Sequence, residues 1–350
     1  MGEMEPPLAV CVDQEQSEST IESLRSEGVY DEKRRVQPGE DGTVLLPVTA
    51  PPTQTAVLDV VRQETPEPRS TDLETLLEER GWTAEELEHV PGSWAIVGDV
   101  VLVRIPEACP RPEEVGEALL ELQGAETVLS RAGIDGPHRE PDVSVLAGSG
   151  DAETIHTEHG TKYALDLTEV MFSPGNKAER VRMHEVVEPE ERVLDMFAGI
   201  GYFALPMARA GAAVTAVERN PTAFRYLIEN AMLNEVSERL EPFRADCRDV
   251  VEWHADPATT VDVSADRIVM GHYEAHEYLE SALAVVEDGG ALHMHAAVPD
   301  AELPDRPVSR LEDAAKDAGR SVDDVGVRRV KSYSEGVWHV VVDAVLSDIG

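Results

Sequence analysis

The chain has 350 residues, enough for one large domain or for two to three small ones that each bury a core. Its 30 Lys and Arg against 69 Asp and Glu give a formal net charge of -39 at pH 7. The acids are spread among apolar positions, and 42% of the residues are hydrophobic, which excludes a disordered acidic tail. No stretch approaches the ~20 apolar residues of a membrane span, so we expect a soluble, cytoplasmic protein.

The acidic charge indicates a high-salt environment, because the screening length falls to ~3 Å at about 1 M salt. In this respect the chain is similar to halophilic archaeal proteins. Nucleic acid is not excluded as a partner, but its phosphates must then meet local basic contacts. The candidate clusters are Lys33 to Arg35, Lys177 to Arg182 and Arg328 to Lys331. Each is more often an ordinary solvated face.

The cysteines and histidines give no metal signature. Cys11, Cys109 and Cys247 are far apart, odd in number and without CxxC spacing, so neither a disulfide framework nor a zinc site is predicted. His293 and His295 would share one face of a strand. No carboxylate or thiolate stands beside them in the sequence, and we expect no metal.

The first 150 residues predict two small α+β units. In residues 1–65, LAVCV and TVLLPV are strand-like, and the helix STIESLRSEG between them stops at Gly28. The Pro-rich run QETPEPRST indicates a linker. In residues 71–150, two short acidic helices precede WAIVGDVVLVRI, whose β-branched residues predict a strand pair. A helix, PEEVGEALLELQ, and a short element, ETVLSRA, follow.

Residues 151–350 alternate strand patterns with helix patterns. Strand-like RVLDMF, AVTAVE, LEPFRAD, DRIVMG and GALHMHAA are separated by helical stretches such as FRYLIENAMLNE and HEYLESALAVV. This alternation predicts a doubly wound, mostly parallel α/β sheet with helices on both faces.

The strongest motif is VLDMFAGIGYFALPMA, residues 193–208. A strand ends at Asp195, and Gly199 and Gly201 then permit a tight turn through which the backbone approaches a ligand. The next two strands also end in acids, Glu218 and Asp246. In a doubly wound sheet these strand ends meet at one crevice, where an acid can bind ribose hydroxyls or an adenine amino group.

The type of ligand follows from what the motif lacks. The sequence has no GxxxxGK[ST] phosphate loop and no complete GxGxxG with a third glycine for a pyrophosphate. A nucleoside cofactor without phosphates is therefore favoured over NAD or ATP.

These motifs resemble those of class I, S-adenosylmethionine-dependent methyltransferases. DMFAGIGYFALPMA, VERNP and RADCRD are similar to one branch, the tRNA guanine-N1 methyltransferases and the related wybutosine-pathway transferases of archaea and eukaryotes. HGTKYALDLTEVMFSPGNKAERVR resembles the β-rich entry to the catalytic domain of that branch, and VPGSWAIVGDVVLVRIP its tRNA-recognition domain. The resemblance covers about residues 85–350. It implies a Rossmann-like catalytic domain that is preceded in the chain by small RNA-recognition domains.

Two stretches distinguish the members of this branch. The guanine methyltransferases carry Phe-Ser-Pro-Arg and Asn-Leu-Pro-Pro, whereas this chain has Phe172 to Asn176 (FSPGN) and Met270 to Tyr273 (MGHY). Both departures, and the later GGALHMH, match the wybutosine aminocarboxypropyltransferases. The resemblance thus implies transfer of a 3-amino-3-carboxypropyl group from S-adenosylmethionine to a ring carbon of 4-demethylwyosine in tRNA(Phe), releasing methylthioadenosine.

The resemblance also supplies site residues. Ser173 and Arg180 match cofactor-binding positions, with Arg180 assigned to the cofactor carboxylate because a guanidinium binds it in bidentate fashion. Phe197 and Cys247, inside two of the motifs, are further cofactor-binding candidates. The general base, if one is needed, is unknown. The candidates are His272 and Tyr273, with His276 a third.

Two alternatives remain open from the sequence. The first is a tRNA (guanine-37-N1) methyltransferase, which shares fold and RNA. The second is a catalytically silent RNA-binding module, against which the intact acids and glycines argue. We expect no obligate protein partner.

Overall fold

The computed structural model describes residues 6–39, 42–63, 65–66, 72–135 and 140–349. The helices are α1 (Ser17–Glu27), α2 (Leu73–Glu79), α3 (Ala84–Leu87), α4 (Pro112–Gln123), α5 (Lys177–Val186), α6 (Ala204–Arg209), α7 (Pro221–Leu233), α8 (Cys247–Ala255), α9 (Leu279–Val285) and α10 (Asp305–Asp317). The strands are β1 (Leu8–Asp13), β2 (Gln37–Pro38), β3 (Thr43–Pro47), β4 (Asp59–Arg62), β5 (Trp94–Val97), β6 (Val100–Val103), β7 (Thr127–Asp135), β8 (Glu140–Gly148), β9 (Glu153–Glu158), β10 (Thr161–Asp166), β11 (Arg192–Asp195), β12 (Ala213–Val217), β13 (Leu240–Phe243), β14 (Ala265–Met270), β15 (Val286–Pro299), β16 (Arg320–Ser334) and β17 (Val337–Asp348).

The chain forms two compact units. The first consists of Met1–Arg131, Ser144–Asp151 and Thr157–Gly160, and the second of Ala132–Val143, Ala152–His156 and Thr161–Gly350. No helix of the described residues is long and apolar enough to cross a membrane.

The first unit begins with a four-stranded sheet of order β2-β3-β1-β4. The strands predicted at LAVCV and TVLLPV are β1 and β3, which pair antiparallel. Helix α1 ends at Gly28, whose φ of 75° gives the left-handed cap that glycine adopts most readily. Leu24 of this helix is buried with Val10 and Leu46 of the sheet. Strand β4 was not predicted, since DVVR is too short and polar to stand out.

A second sheet, of order β5-β6-β7-β8, follows in the chain. WAIVGDVVLVRI forms the predicted strand pair, because β5 and β6 are antiparallel neighbours. Helix α4 connects β6 to its parallel neighbour β7, which begins at Thr127 within the predicted element ETVLSRA. Val115 and Leu119 of α4 are buried against Val101 and Val128 of the sheet.

The second unit is built on a seven-stranded sheet of order β13-β12-β11-β14-β15-β17-β16. The first five strands are parallel, in agreement with the predicted alternation. Its core contains Leu194, Ile268, Leu292 and Val342, at no more than 1% exposure each. Register pairs such as Leu194 with Ile268 align neighbouring strand ends along one edge.

The last two strands in the sheet order, β17 and β16, were not predicted from the sequence patterns. Strands β16 and β17 form a long antiparallel hairpin, and β17 pairs antiparallel with β15. Strand β16 (RSVDDVGVRRVKSYS) carries charges on several successive residues, so it lacks the apolar alternation of a half-buried strand.

Candidate active site

Three acids lie at one edge of the second unit's sheet. Asp195 is the last residue of β11, Glu218 follows β12, and Asp246 lies three residues beyond β13. These strands are parallel neighbours, with Asp195 in register with Ala216 and Val217 with Phe243. The convergence predicted from the sequence is therefore present.

A glycine turn joins β11 to α6. Gly199 has φ of 57° and Gly201 has φ of 104°, both in the region that favours glycine. Glu218 Oε2 accepts a hydrogen bond from Gly199 N at 2.8 Å, and its Oε1 accepts one from Asn220 N at 2.6 Å. Glu218 thus ties the end of β12 to the turn after β11. Burial raises the pKa of Glu218, although these two backbone N–H groups oppose the shift.

Asp195 is completely buried at the base of this turn. Its Oδ1 accepts a hydrogen bond from Phe197 N at 3.2 Å, while Oδ2 has no partner among the described residues. Burial, and to a lesser extent the charge of Glu218, raise the pKa of Asp195 to about 7. A buried oxygen without a partner is unfavourable, so this side of the turn suits a hydrogen-bond donor or a cation.

Asp246 is held as an anion at the start of α8. It accepts hydrogen bonds from Arg248 N at 3.0 Å and from the Arg248 guanidinium at 2.9 and 2.8 Å. The Arg248 bonds hold the pKa of Asp246 below its usual value. Cys247 is buried beside it, and burial raises the pKa of that thiol to about 12. The Cys247 thiol is therefore neutral at pH 7 and is not a nucleophile.

Aromatic rings flank the glycine turn. The ring of Phe197 stacks on His272 at 5.3 Å and meets Tyr278 edge-on at 4.9 Å. His272 follows β14, and its Nδ1 accepts a hydrogen bond from Glu274 N at 3.2 Å. The two predicted site residues Phe197 and His272 therefore lie together, as flat surfaces beside the acids.

Ser173 and Arg180, the two positions matched to the cofactor by the resemblance, contact each other. Arg180 is buried, its Nη1 donates to the Ser173 carbonyl at 3.1 Å, and its guanidinium covers the Phe172 ring at 4.8 Å. A third group was missed: Lys331 Nζ donates to Ser173 Oγ at 2.6 Å. The sequence placed Lys331 only in a basic cluster, because its approach to Ser173 depends on the β16–β17 hairpin.

The catalytic candidate Tyr273 lies among aromatic rings of the hairpin. Its ring meets Tyr333 at 4.8 Å and His339 at 4.9 Å, both edge-on. His339 Nε2 is 2.9 Å from His295 Nδ1, and burial lowers the pKa of both imidazoles to about 3. This pair is neutral at pH 7, so neither histidine supplies a cation there.

The remaining candidate histidines lie in other surroundings. His293 is buried between the Asp343 carboxylate at 2.6 Å and the Arg267 guanidinium at 2.7 Å. Burial lowers the pKa of His276, whose Nδ1 has no partner in the described chain. Among described residues, no group of three or more His, Cys, Asp or Glu is placed to hold a metal ion.

The basic clusters are largely engaged within the protein. Arg34 is buried and bonded to Asp31, Gln63 and two carbonyl oxygens, so it is not a surface contact for RNA. Arg328 donates to Glu179 through both Nη atoms at 2.9 Å.

Comparison with known proteins identifies the family. A model described as the TRM5/TYW2 methyltransferase domain matches residues 154–323, and one described as the TYW2 N-terminal domain matches residues 73–151. A protein of Pyrococcus horikoshii is 40% identical over 262 residues, which are 74% of this chain and 91% of the relative. The chain belongs to the TRM5/TYW2 family. The family resemblance stated from the sequence motifs is thereby confirmed.

Solved TRM5/TYW2 structures confirm the predicted class I methyltransferase fold. That of P. horikoshii TYW2 in complex with MeSAdo is 37% identical, with a TM-score of 0.66 over 79% of this chain and 98% of that chain. That of Trm5b from Pyrococcus abyssi is 30% identical, with a TM-score of 0.69 over 97% of this chain and 99% of that chain. Chain coverage is thus greater with Trm5b, while sequence identity is greater with TYW2. Because a catalytic site is set by its residues and not by the number of domains, sequence identity is the better guide to the site.

Proposed function

We propose that the protein transfers the 3-amino-3-carboxypropyl group of S-adenosylmethionine to a ring carbon of 4-demethylwyosine at position 37 of tRNA(Phe), releasing methylthioadenosine. The observation that carries this proposal is the 40% identity to the P. horikoshii protein, which is named tRNA(Phe) (4-demethylwyosine(37)-C(7)) aminocarboxypropyltransferase. The match spans 91% of that relative, so it includes the catalytic domain and the domain before it.

The residues at the sheet edge fit S-adenosylmethionine. In the proposed complex, Glu218 accepts hydrogen bonds from the ribose hydroxyls, and Asp246 accepts one from the adenine amino group. The unpartnered Asp195 Oδ2 suits a group that is cationic or donates hydrogen bonds. Phe197 and Cys247 provide apolar surface beside the purine. Ser173 and Arg180 hold the amino-acid arm.

The choice of transferred group depends on orientation. The sulfonium of S-adenosylmethionine activates all three of its attached carbons, so the carbon that faces the acceptor is the one transferred. The acceptor ring carbon forms a bond to Cγ of the arm as the Cγ–S bond breaks, and methylthioadenosine leaves with the electron pair. The proton of the ring carbon then passes to solvent or to a nearby side chain.

The acceptor base approaches from the end of β14. His272 and Tyr273 are the side chains there, and either receives the proton if a protein base is required. We further propose three domains: a small N-terminal unit (1–65), a tRNA-recognition domain (71–150) and the catalytic domain (151–350). The first two hold the tRNA. A cytoplasmic location stays a prediction, as does adaptation to high salt.

Transfer of a methyl group to guanine is the principal alternative. A Trm5b of P. abyssi, named tRNA (guanine(37)-N(1))-methyltransferase, is 32% identical over 73% of this chain. The lower identity, and the sequences FSPGN and MGHY at the two distinguishing stretches, favour the aminocarboxypropyl reaction. A silent RNA-binding module is disfavoured because all three strand-end acids are present around the glycine turn.

A dual-label assay tests the proposal. The protein is incubated in high salt with tRNA containing 4-demethylwyosine and with S-adenosylmethionine labelled on either the methyl or the carboxyl group. We expect label to enter tRNA from the carboxyl group and methylthioadenosine to appear in equal amount. Label from the methyl group alone would overturn the proposal, and label from neither would favour the silent module.

A further inference from the structure

Lys331 connects the antiparallel hairpin to the proposed cofactor end of the site. It lies in β16, half-buried, and its Nζ donates to Ser173 Oγ at 2.6 Å across 158 residues of sequence. In the hairpin it is in register with His339 of β17. Its neighbour Arg329 instead pairs with Asp300 on the exposed side. The ammonium of Lys331 is thus directed to Ser173 by the strand that carries it.

Two cationic side chains donate hydrogen bonds to Ser173. Arg180 donates to its main-chain oxygen, and Lys331 donates to its hydroxyl. A short series of ring contacts connects Arg180 to the glycine turn. The Arg180 guanidinium covers Phe172, and the Phe172 ring is 6.0 Å from that of Tyr202, which packs against Gly199.

Gly175 gives Lys331 the space it needs. A Cβ at position 175 would lie 2.9 Å from Lys331 Cδ and 3.3 Å from its Nζ. A side chain there would force the lysine stem to shift from its present position. The lack of a side chain at Gly175 therefore leaves room for Lys331 to reach Ser173.

We propose that Lys331, together with Arg180, binds the carboxylate of the amino-acid arm of S-adenosylmethionine. This inference rests on the proposed function and deepens it by adding Lys331 to the residues that hold the arm. An ammonium and a guanidinium are the two protein groups that bind carboxylates most strongly, and here both donate to Ser173. Fixing the carboxylate turns Cγ, rather than the methyl group, toward the acceptor.

The two products differ in their need for this cation. The carboxylate leaves with the modified base, whereas methylthioadenosine carries only the nucleoside and the thioether. Lys331 therefore contributes to binding of the donor and not to binding of the spent nucleoside. This difference distinguishes a carboxylate contact from a general effect on the fold.

Calorimetric titration of the full chain in high salt, without tRNA, tests the assignment. For Lys331→Ala we expect the affinity for S-adenosylmethionine to fall about tenfold or more, as for the loss of one charge-assisted bond. The affinity for methylthioadenosine should change by less than about twofold. Lys331→Arg should retain much of the donor affinity, because it keeps the charge.

Two further variants serve as controls. Arg329→Ala removes a cation from the same strand, and we expect both affinities to stay unchanged. Gly175→Ala keeps Lys331 but displaces its stem, so it should weaken S-adenosylmethionine selectively and to a smaller extent. The thermal unfolding midpoint, measured for each variant, identifies any that fail to fold.

Loss of both affinities in folded Lys331→Ala, or of neither, would overturn the assignment. These titrations contain no tRNA, so they are independent of which group is transferred. If the label assay instead gave methyl transfer, the proposed function would fail while a selective loss of donor affinity would still place Lys331 at the carboxylate.

Discussion

Glu218 accepts a hydrogen bond from the main-chain N–H of Gly199 at 2.8 Å, which joins the acid after β12 to the turn after β11. In the proposed function, the carboxylate of Glu218 accepts hydrogen bonds from the ribose hydroxyls of the cofactor. We predict that Glu218→Ala lowers the affinity for S-adenosylmethionine by tenfold or more, which is about 1.4 kcal/mol or more. Titration calorimetry measures this directly.

The matched control is Glu218→Gln, which keeps an acceptor oxygen near Gly199 but loses the charge. Its affinity should lie between those of the wild type and the alanine variant. The affinity of both variants for tRNA should stay within about twofold of the wild type, since Glu218 is not proposed to contact RNA. Unchanged cofactor affinity in Glu218→Ala would refute the ribose role.

The three acids could be predicted because each stands at the end of a strand pattern that is local in sequence. Asp195 and Glu218 each follow a short apolar run, and parallel pairing then brings strand ends together by topology alone. Lys331 could not be predicted in the same way. Its contact with Ser173 depends on a hairpin whose charged strand β16 has no apolar alternation, and on the missing side chain at Gly175.

The partners of the histidines and of Arg34 could not be predicted from the sequence either. His293 and His295 share a strand face as expected, yet one lies between Asp343 and Arg267 and the other against His339. A histidine's partners come from distant segments, so its role is rarely evident in sequence. Arg34 illustrates the same point, because its cluster suggested a surface and its guanidinium is buried.

The raised pKa of Asp195 makes the free energy of unfolding depend on pH. Burial raises its pKa from 3.8 to about 7, so between these values the folded protein retains a proton that the unfolded chain releases. The stabilising contribution of the protonated form is complete below the unfolded pKa and is lost as pH rises through about 7. Asp195→Asn removes this dependence.

Chemical denaturation between about pH 5 and pH 8 in constant high salt measures the effect. We expect the free energy of unfolding of the wild type to fall relative to that of Asp195→Asn as the pH rises. The affinity for S-adenosylmethionine should change in the opposite sense, because the ionised carboxylate is the form that binds a cation. Parallel pH profiles for the two proteins would contradict the raised pKa.

Buried ion pairs should contribute more to the free energy of unfolding than exposed ones. Glu179 is 2% exposed and bonds to both Nη atoms of Arg328 at 2.9 Å. Glu179→Gln leaves a partly buried guanidinium with one carboxylate fewer, and we predict a loss of about 1–3 kcal/mol in unfolding free energy. Glu190→Gln, in the exposed pair with Arg239, should change it by less than about 0.5 kcal/mol. Equal effects in urea titrations would show that burial is not the deciding factor.

Tyr333 offers an exposed ring next to the acceptor end of the site. Its side chain is 54% exposed, and its ring meets that of Tyr273 edge-on at 4.8 Å. A ring in this position can stack on an unpaired base, a contact worth about 1–3 kcal/mol. We predict that Tyr333→Ala raises the KM for tRNA at least fivefold and leaves the affinity for S-adenosylmethionine unchanged, while Tyr333→Phe behaves like the wild type. Steady-state kinetics with one tRNA species measures these KM values. If the Tyr333 ring only packs against Tyr273, Tyr333→Ala will lower thermal stability without changing the KM for tRNA.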